Sequence, residues 1–257
     1  MLNILKADFM RLRKSFAFWL SLIGMLVVAG VFMMIQATAM DYTVSLSRVI
    51  FLPMSMYGIA MAAFVSVFTG TDFSDGFIRN KLLALNHRGG YVISQIIVCC
   101  VACVIVYLVV FVLTAGVGRF FFENDVKSSD LILFFVLGIG MSLVSGCFYC
   151  VITLICSNKT RAIICCMGLA FVMLVLAMHT NAVLVHMAST ESDVLSGVDG
   201  LRSVLYGICH DLNPCGQAAQ LSSWKVWHPF RMVLIDIFLI CGLSALACFQ
   251  FQRKDIQ

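Results

Sequence analysis

Charge is what this sequence lacks most. Asp, Glu, Lys and Arg make up 12% of its 257 residues, against roughly 25% in ordinary soluble domains. Hydrophobic residues make up 61%, more apolar surface than a soluble fold of this length can hide. Lipid accepts such a chain, because backbone hydrogen bonds close inside each helix. The formal charge of +4 is too small for a nucleic-acid binder, and no basic patch is interleaved with aromatics. The sequence has no G-x-x-x-x-G-K-[ST] phosphate loop, H-E-x-x-H, G-x-S-x-G or repeated Cys-x-x-Cys zinc pattern. Cys147 and Cys150 lie in an apolar run, as do Cys99, Cys100, Cys103, Cys165, Cys166, Cys241 and Cys248. There cysteine serves as a small hydrophobe. A zinc site built from the scattered His residues and Asp211 has less support than plain interfacial polarity.

What the sequence does contain is long apolar runs, and they predict an all-α, polytopic six-helix transmembrane bundle forming a single domain over 1–257. A helix needs ~20 apolar residues to cross the hydrocarbon core. The runs place spans at about 16–39, 49–70, 92–117, 131–156, 162–180 and 230–250. Five spans result if the fifth, the shortest, is re-entrant. The first run is too long for a signal-peptide core and reads as a retained span. Ahead of it, residues 2–15 read as an amphipathic interfacial helix. Leu5, Phe9 and Leu12 share one face, for a membrane surface or a partner.

The connectors divide into two sets. The N-terminus, 71–91, 157–161 and the C-terminus hold 11 of the 17 basic residues. The positive-inside bias therefore predicts both termini in the cytoplasm and residues 181–229 outside as an extracellular segment. Within 71–91, Thr71, Ser74 and Asp75 suit a helix start, and Gly89-Gly90 an end. Cys209 and Cys215 in the outer segment either pair or flank a membrane-dipping helix–turn.

Burying Leu drives no helix pairing in lipid, so small residues and polar contacts must do it. Gly58, Ala62, Ser66 and Gly70 recur every fourth position in span 2, as do Gly138, Ser142, Gly146 and Cys150 in span 4. Each set packs within the bundle or lines a subunit interface. Asp236 is an outlier inside span 6, where a carboxylate is costly. Three readings fit it: an interfacial group reached by water, a helix-packing site, or, with Ser66 and Ser142, a substrate path. In every case it should face protein or an aqueous cleft rather than lipid.

These features alone suit a permease, a membrane enzyme working at a lipid boundary, or a scaffold or sensor subunit. Four of them together resemble the permease subunits of type-2 ATP-binding-cassette exporters, in particular antimicrobial-peptide and lantibiotic immunity permeases. They are the helix at 2–15, the segment DFSDGFIRNKLLALNHRGGYVISQ (72–95), the Leu-Asn-Pro-x-Gly-Gln-like motif at 212–217, and the aromatic, then basic-acidic ending from Phe249 to Ile256. The resemblance implies a bacterial plasma-membrane half-transporter with no catalytic site, metal or cofactor of its own. A second permease subunit, identical or sister, would join it, and ATP and Mg would sit on separate cytoplasmic ATPase subunits. The ATPase-coupling residues it implies are Asp72, Phe73, Asp75, Phe77, Ile78, Arg79 and Lys81, with Leu5, Phe9 and Leu12 as contacts of the interfacial helix. The cargo it implies is an amphipathic or hydrophobic substrate, an antimicrobial peptide first, with drugs and lipid-linked sugars as alternatives.

Overall fold

A computed structural model describes residues 2–38, 44–78, 88–190 and 197–252. Among them the helices are α1 (Leu2–Lys14), α2 (Phe16–Thr38), α3 (Leu46–Ile50), α4 (Tyr57–Ser74), α5 (Arg88–Phe121), α6 (Ser128–Cys156), α7 (Lys159–Thr190), α8 (Gly197–Leu212), α9 (Pro214–Ser222) and α10 (Pro229–Gln252). A 3-10 turn, Leu52–Met56, joins α3 to α4. No sheet occurs among the described residues; an isolated bridge links Ser45 and Glu123. Six helical stretches are long and apolar enough to cross a membrane. The chain is an all-α, multi-spanning membrane protein.

The spans alternate in direction, so the bundle has two ends. At one end α1 lies across the chain beside Asp72 of α4 and Ser94 of α5. At the other, the chain before α3 meets the link after α5, with Leu46 N donating to Glu123 O at 2.9 Å and Ser47 Oγ to Asp125 Oδ2 at 2.6 Å. Burial slightly opposes ionisation of Asp125, but the Ser47 hydroxyl and amide more than offset it, so its carboxyl lies below the ordinary value.

Several boundaries differ from the sequence expectation. Thr71 and Ser74 lie in the last turns of α4, their hydroxyls donating back to Phe68 O and Thr71 O; a further helix begins at residues 77–78, and the rest of the segment expected to be helical lies outside the described residues. Gly76 then turns the chain at φ +69°, a conformation only glycine adopts freely. Gly89-Gly90 lie in the first turn of α5, and the end of the element before it lies outside the described residues. The fifth span is a full helix of 32 residues, not a short or re-entrant one. It absorbs the start of the segment read as extracellular, and most of the remainder forms α8 and α9. Span 2 breaks at Phe51, where Pro53 falls inside the 3-10 turn.

Both small-residue faces pack inside the chain. A Cβ on Gly146 would lie 2.9 Å from Cys100 Cα on α5, and one on Gly138 would meet the Tyr107 ring. On α4, a Cβ on Gly58 would lie 2.6 Å from Cys215 Sγ of α9, and one on Gly70 would lie 3.1 Å from the Lys159 backbone of α7. Ala62 and Ser66 are fully buried between them. The span 2 face is therefore covered within this chain and is not free to line a subunit interface. Gly146→Leu forces backbone apart, and overpacking of that kind costs about 1–3 kcal/mol or more. Gly168→Leu has open space around it and should change stability by less than about 0.5 kcal/mol. Thermal unfolding of both variants in mild detergent checks the contrast.

Candidate functional site

Polar groups that a membrane should exclude gather where α9 enters the bundle. Its start is set by Asn213, whose Oδ1 accepts from Cys215 N at 3.0 Å, with Pro214 in the first turn, where its missing N–H costs least. Asn213 Nδ2 also donates to Met173 O of α7 at 2.6 Å. Nearly all of α9 is buried, including Gln217 and Gln220. Its C-terminus closes with two reversed bonds, Trp224 N to Leu221 O and Lys225 N to Gln220 O, both 3.1 Å, a pattern in which glycine is usual at the left-handed residue. Here that residue is Trp224, at φ +52°. Its ring stacks on Phe134 at 4.4 Å, which holds the strained backbone in place.

Behind α9 runs a connected network. Asp211, at the end of α8, accepts from Gln220 Nε2 and from Arg231 Nε of α10, each at 2.7 Å. Gln217 Nε2 donates to the Asp211 carbonyl at 2.8 Å and to Asp236 Oδ1 at 2.5 Å. His210 Nδ1 lies 2.7 Å from Thr180 Oγ1 on α7. Glycines make these approaches feasible. A Cβ on Gly140 would lie 2.5 Å from Asp236 Oδ2, one on Gly207 2.8 Å from Arg231 Nη2, and one on Gly216 2.2 Å from His210 O. Gln217 Oε1, Asp236 Oδ2, His210 Nε2 and Arg231 Nη2 have no hydrogen-bond partner among the described residues. Burial holds the His210 imidazole below its ordinary value, against the opposing pull of Asp211. Burial also pushes the Cys215 thiol up to about 11. Cys209 is exposed and Cys215 buried, both as free thiols, so the pair flanks a helix–turn and forms no disulfide.

At the opposite end, Arg11 of α1 donates to Asp72 Oδ1 and Phe68 O, and to Thr71 Oγ1 at 3.1 Å. Its guanidinium also sits 4.3 Å from the Phe68 ring centre, and Tyr91 Oη donates to Asp72 Oδ2 at 3.1 Å. Ser94 Oγ donates to buried Asp8 at 3.0 Å. Leu12 belongs to the core, and Leu5 and Phe9 pack on it. The interfacial helix therefore spends its apolar face on its own bundle.

The sequence-predicted residues separate accordingly. Asp72 and Ile78 are buried, Phe73 is half-buried, and Asp75 and Phe77 are exposed. Arg79 and Lys81 lie outside the described residues. Ser66 and Ser142 are buried, and each donates to a carbonyl of its own helix, Ala63 O at 3.1 Å and Ile139 O at 2.8 Å. Asp236 is 3% exposed and faces protein, as expected. Arg231, five residues before Asp236 and poorly placed to pair with it on one face, pairs instead with Asp211, and sequence reasoning missed Asp211, Gln217 and Gln220 as members of the same network. The available signal was the pair Gln217 and Gln220, three apart on one face of a short helix. No cluster of three His, Cys, Asp or Glu side chains suited to a metal occurs among the described residues.

Asp211→Ala leaves Arg231 and Gln220 without their acceptor and should cost about 3 kcal/mol in detergent melts. Adding Arg231→Met to that variant should restore part of the loss. A second expectation concerns pH. A buried imidazole held below its ordinary ~6.5 binds fewer protons than the unfolded chain. Its stability contribution is complete above that value and is lost as pH falls below it. Wild type should therefore lose more melting temperature between about pH 7.5 and 5.5 than His210→Gln does.

No protein-family model and no curated protein matches the chain. What the architecture itself supports is a polytopic helical membrane protein of the general permease type.

Proposed function

We propose that this chain is the permease subunit of an ATP-driven exporter that moves an amphipathic or hydrophobic substrate, an antimicrobial peptide first, outward from the membrane or cytoplasm. The observation that carries this reading is the α8–α9 pair. It fills one end of the bundle and is held there by hydrogen bonds and one ion pair, Arg231–Asp211, rather than by apolar packing alone. Such bonds are directional and can be exchanged for bonds to water. In the exporter we propose, an element seated this way serves as the gate.

The other end supplies the drive. Eleven of the 17 basic residues lie in the connectors on the α1 side, which supports a cytoplasmic position for that end and both termini. Phe77 is 48% exposed there, next in sequence to Ile78, Arg79 and Lys81. An aromatic flanked by basic side chains suits a protein partner, and we assign that partner as the ATPase subunit that carries ATP and Mg. Asp72 contributes indirectly, by fixing α1 through Arg11. A second permease subunit, identical or sister, completes the transporter, and this chain performs no catalysis itself.

Purification in mild detergent should bring down a nucleotide-hydrolysing subunit whose turnover rises with a cationic amphipathic peptide. Replacing Phe77 with Ser and Arg79 and Lys81 with Ala should weaken that association at least about tenfold, ~1.4 kcal/mol, without changing the melt of the permease. Association without stimulated hydrolysis would convert the reading to a scaffold or sensor subunit. A variant that couples normally would remove the docking surface.

A further inference from the structure

We infer that the cleft between α2 and α4 holds an acyl chain of one anionic phospholipid, with its phosphate met by Arg13 and Lys14. The cleft has a volume of about 450 Å³, within the usual range for a small-molecule site. Phe16, Leu20, Gly24 and Val28 form its α2 wall, and Ala60 and Ala63 belong to the α4 wall. The four α2 residues recur every fourth position and so share one helical face. Gly24 has nothing within 4 Å of where a Cβ would stand, and that missing side chain leaves room in the cleft. The only hydroxyl in the lining, on Ser21, is occupied by Phe18 O at 2.8 Å. The walls therefore offer a ligand nothing but apolar contact.

Length and charge select the occupant. From Phe16 to Val28 the helix rises roughly 18 Å at 1.5 Å per residue, close to half of a hydrocarbon core ~30 Å thick. The cleft thus runs the depth of one leaflet, the one on the α1 side. At its mouth stands the end of α1, whose last turn carries Arg11, Arg13 and Lys14. Arg11 is engaged with Asp72. Arg13 and Lys14 are exposed and have no ion-pair partner among the described residues. The elbow that presents them is fixed, since Trp19 Nε1 donates to Arg13 O at 2.9 Å and Ser15 N to Leu12 O at 3.0 Å. Trp19 is itself an interfacial anchor. Two basic side chains at headgroup depth above an apolar, leaflet-long cleft match a phosphate joined to a fatty-acyl chain.

The test is native mass spectrometry of the full chain in mild detergent, titrated with phosphatidylglycerol or phosphatidylcholine of equal chain length. One phosphatidylglycerol per chain should be retained in preference to phosphatidylcholine. Arg13→Gln with Lys14→Gln, both on exposed positions, should lower phosphatidylglycerol retention roughly tenfold or more, to the phosphatidylcholine level. Gly24→Leu with Ala60→Leu should fill the cleft and abolish retention of both lipids. Arg161→Gln removes an exposed basic residue elsewhere on the same end and should change nothing. Equal retention of the two lipids by wild type would overturn the proposal. So would undiminished phosphatidylglycerol on the filled cleft, or equal losses from Arg161→Gln and the Arg13–Lys14 variant. None of these outcomes depends on transport or on a nucleotide-hydrolysing partner.

Discussion

A carboxylate that leaves water for the edge of a hydrocarbon slab must find a cation or donors within the protein, and among the described residues an ion pair meets that demand at each end of the bundle. At one end Asp72 is matched by Arg11 and Tyr91; at the other Asp211 is matched by Arg231 and Gln220. In both cases the partner comes from a different helix, so satisfying the charge also fixes an element. Arg11 carries α1 with it, and Asp211 ties the junction of α8 and α9 to α10. Buried ion pairs add little net stability against well-packed apolar replacements. What they contribute here is position: apolar faces can slide over one another in lipid, whereas a carboxylate with two or three donors has one seat.

Close packing of backbones does the remainder. Apolar area drives no association in lipid, so the central helices depend on approaches that only small residues permit: α5 to α6 at Gly146, α4 to α7 at Gly70, and α4 to α9 at Gly58. Tyr57 extends this logic, donating its hydroxyl to the Cys103 carbonyl at 2.7 Å from the bundle interior. Around this centre, α2, α7 and α10 turn large exposed side chains such as Ile23, Phe171 and Phe238 outward. That surface is what a bilayer covers. The buried cysteines fall into place as small, weakly polar fillers, with Cys100 Sγ donating to Leu143 O at 3.4 Å.

The sequence disclosed whatever depends on the local density of apolar residues. Six runs predicted six helices, and the boundaries of α2, α6 and α10 fall within a few residues of those expected. It hid whatever depends on a partner distant along the chain. Residues 181–229 read as a polar connector, yet Asp211, Gln217 and Gln220 within them are polar toward one another and toward Asp236, and so are buried in the bundle. The seat of Asp72 was hidden for the same reason, because Arg11 stands 61 positions away. Asp236 was legible as an anomaly, since a lone acid in an apolar run needs no partner to be noticed.

One helix connects the two polar ends. α4 carries Asp72 in its last turn and Gly58 near its start. Its 18 residues extend roughly 27 Å at 1.5 Å each. Over that length a packed helix moves as a body far more readily than it bends, because bending would stretch its own ladder of hydrogen bonds. At the Gly58 end the chain gives way to the 3-10 turn at Pro53, which packs directly on α9. α4 therefore touches both the Arg11–Asp72 seat and α9 directly. In the exporter we propose, α4 would join the end that receives work to the end that opens. The cleft between α2 and α4 lies along the same helix.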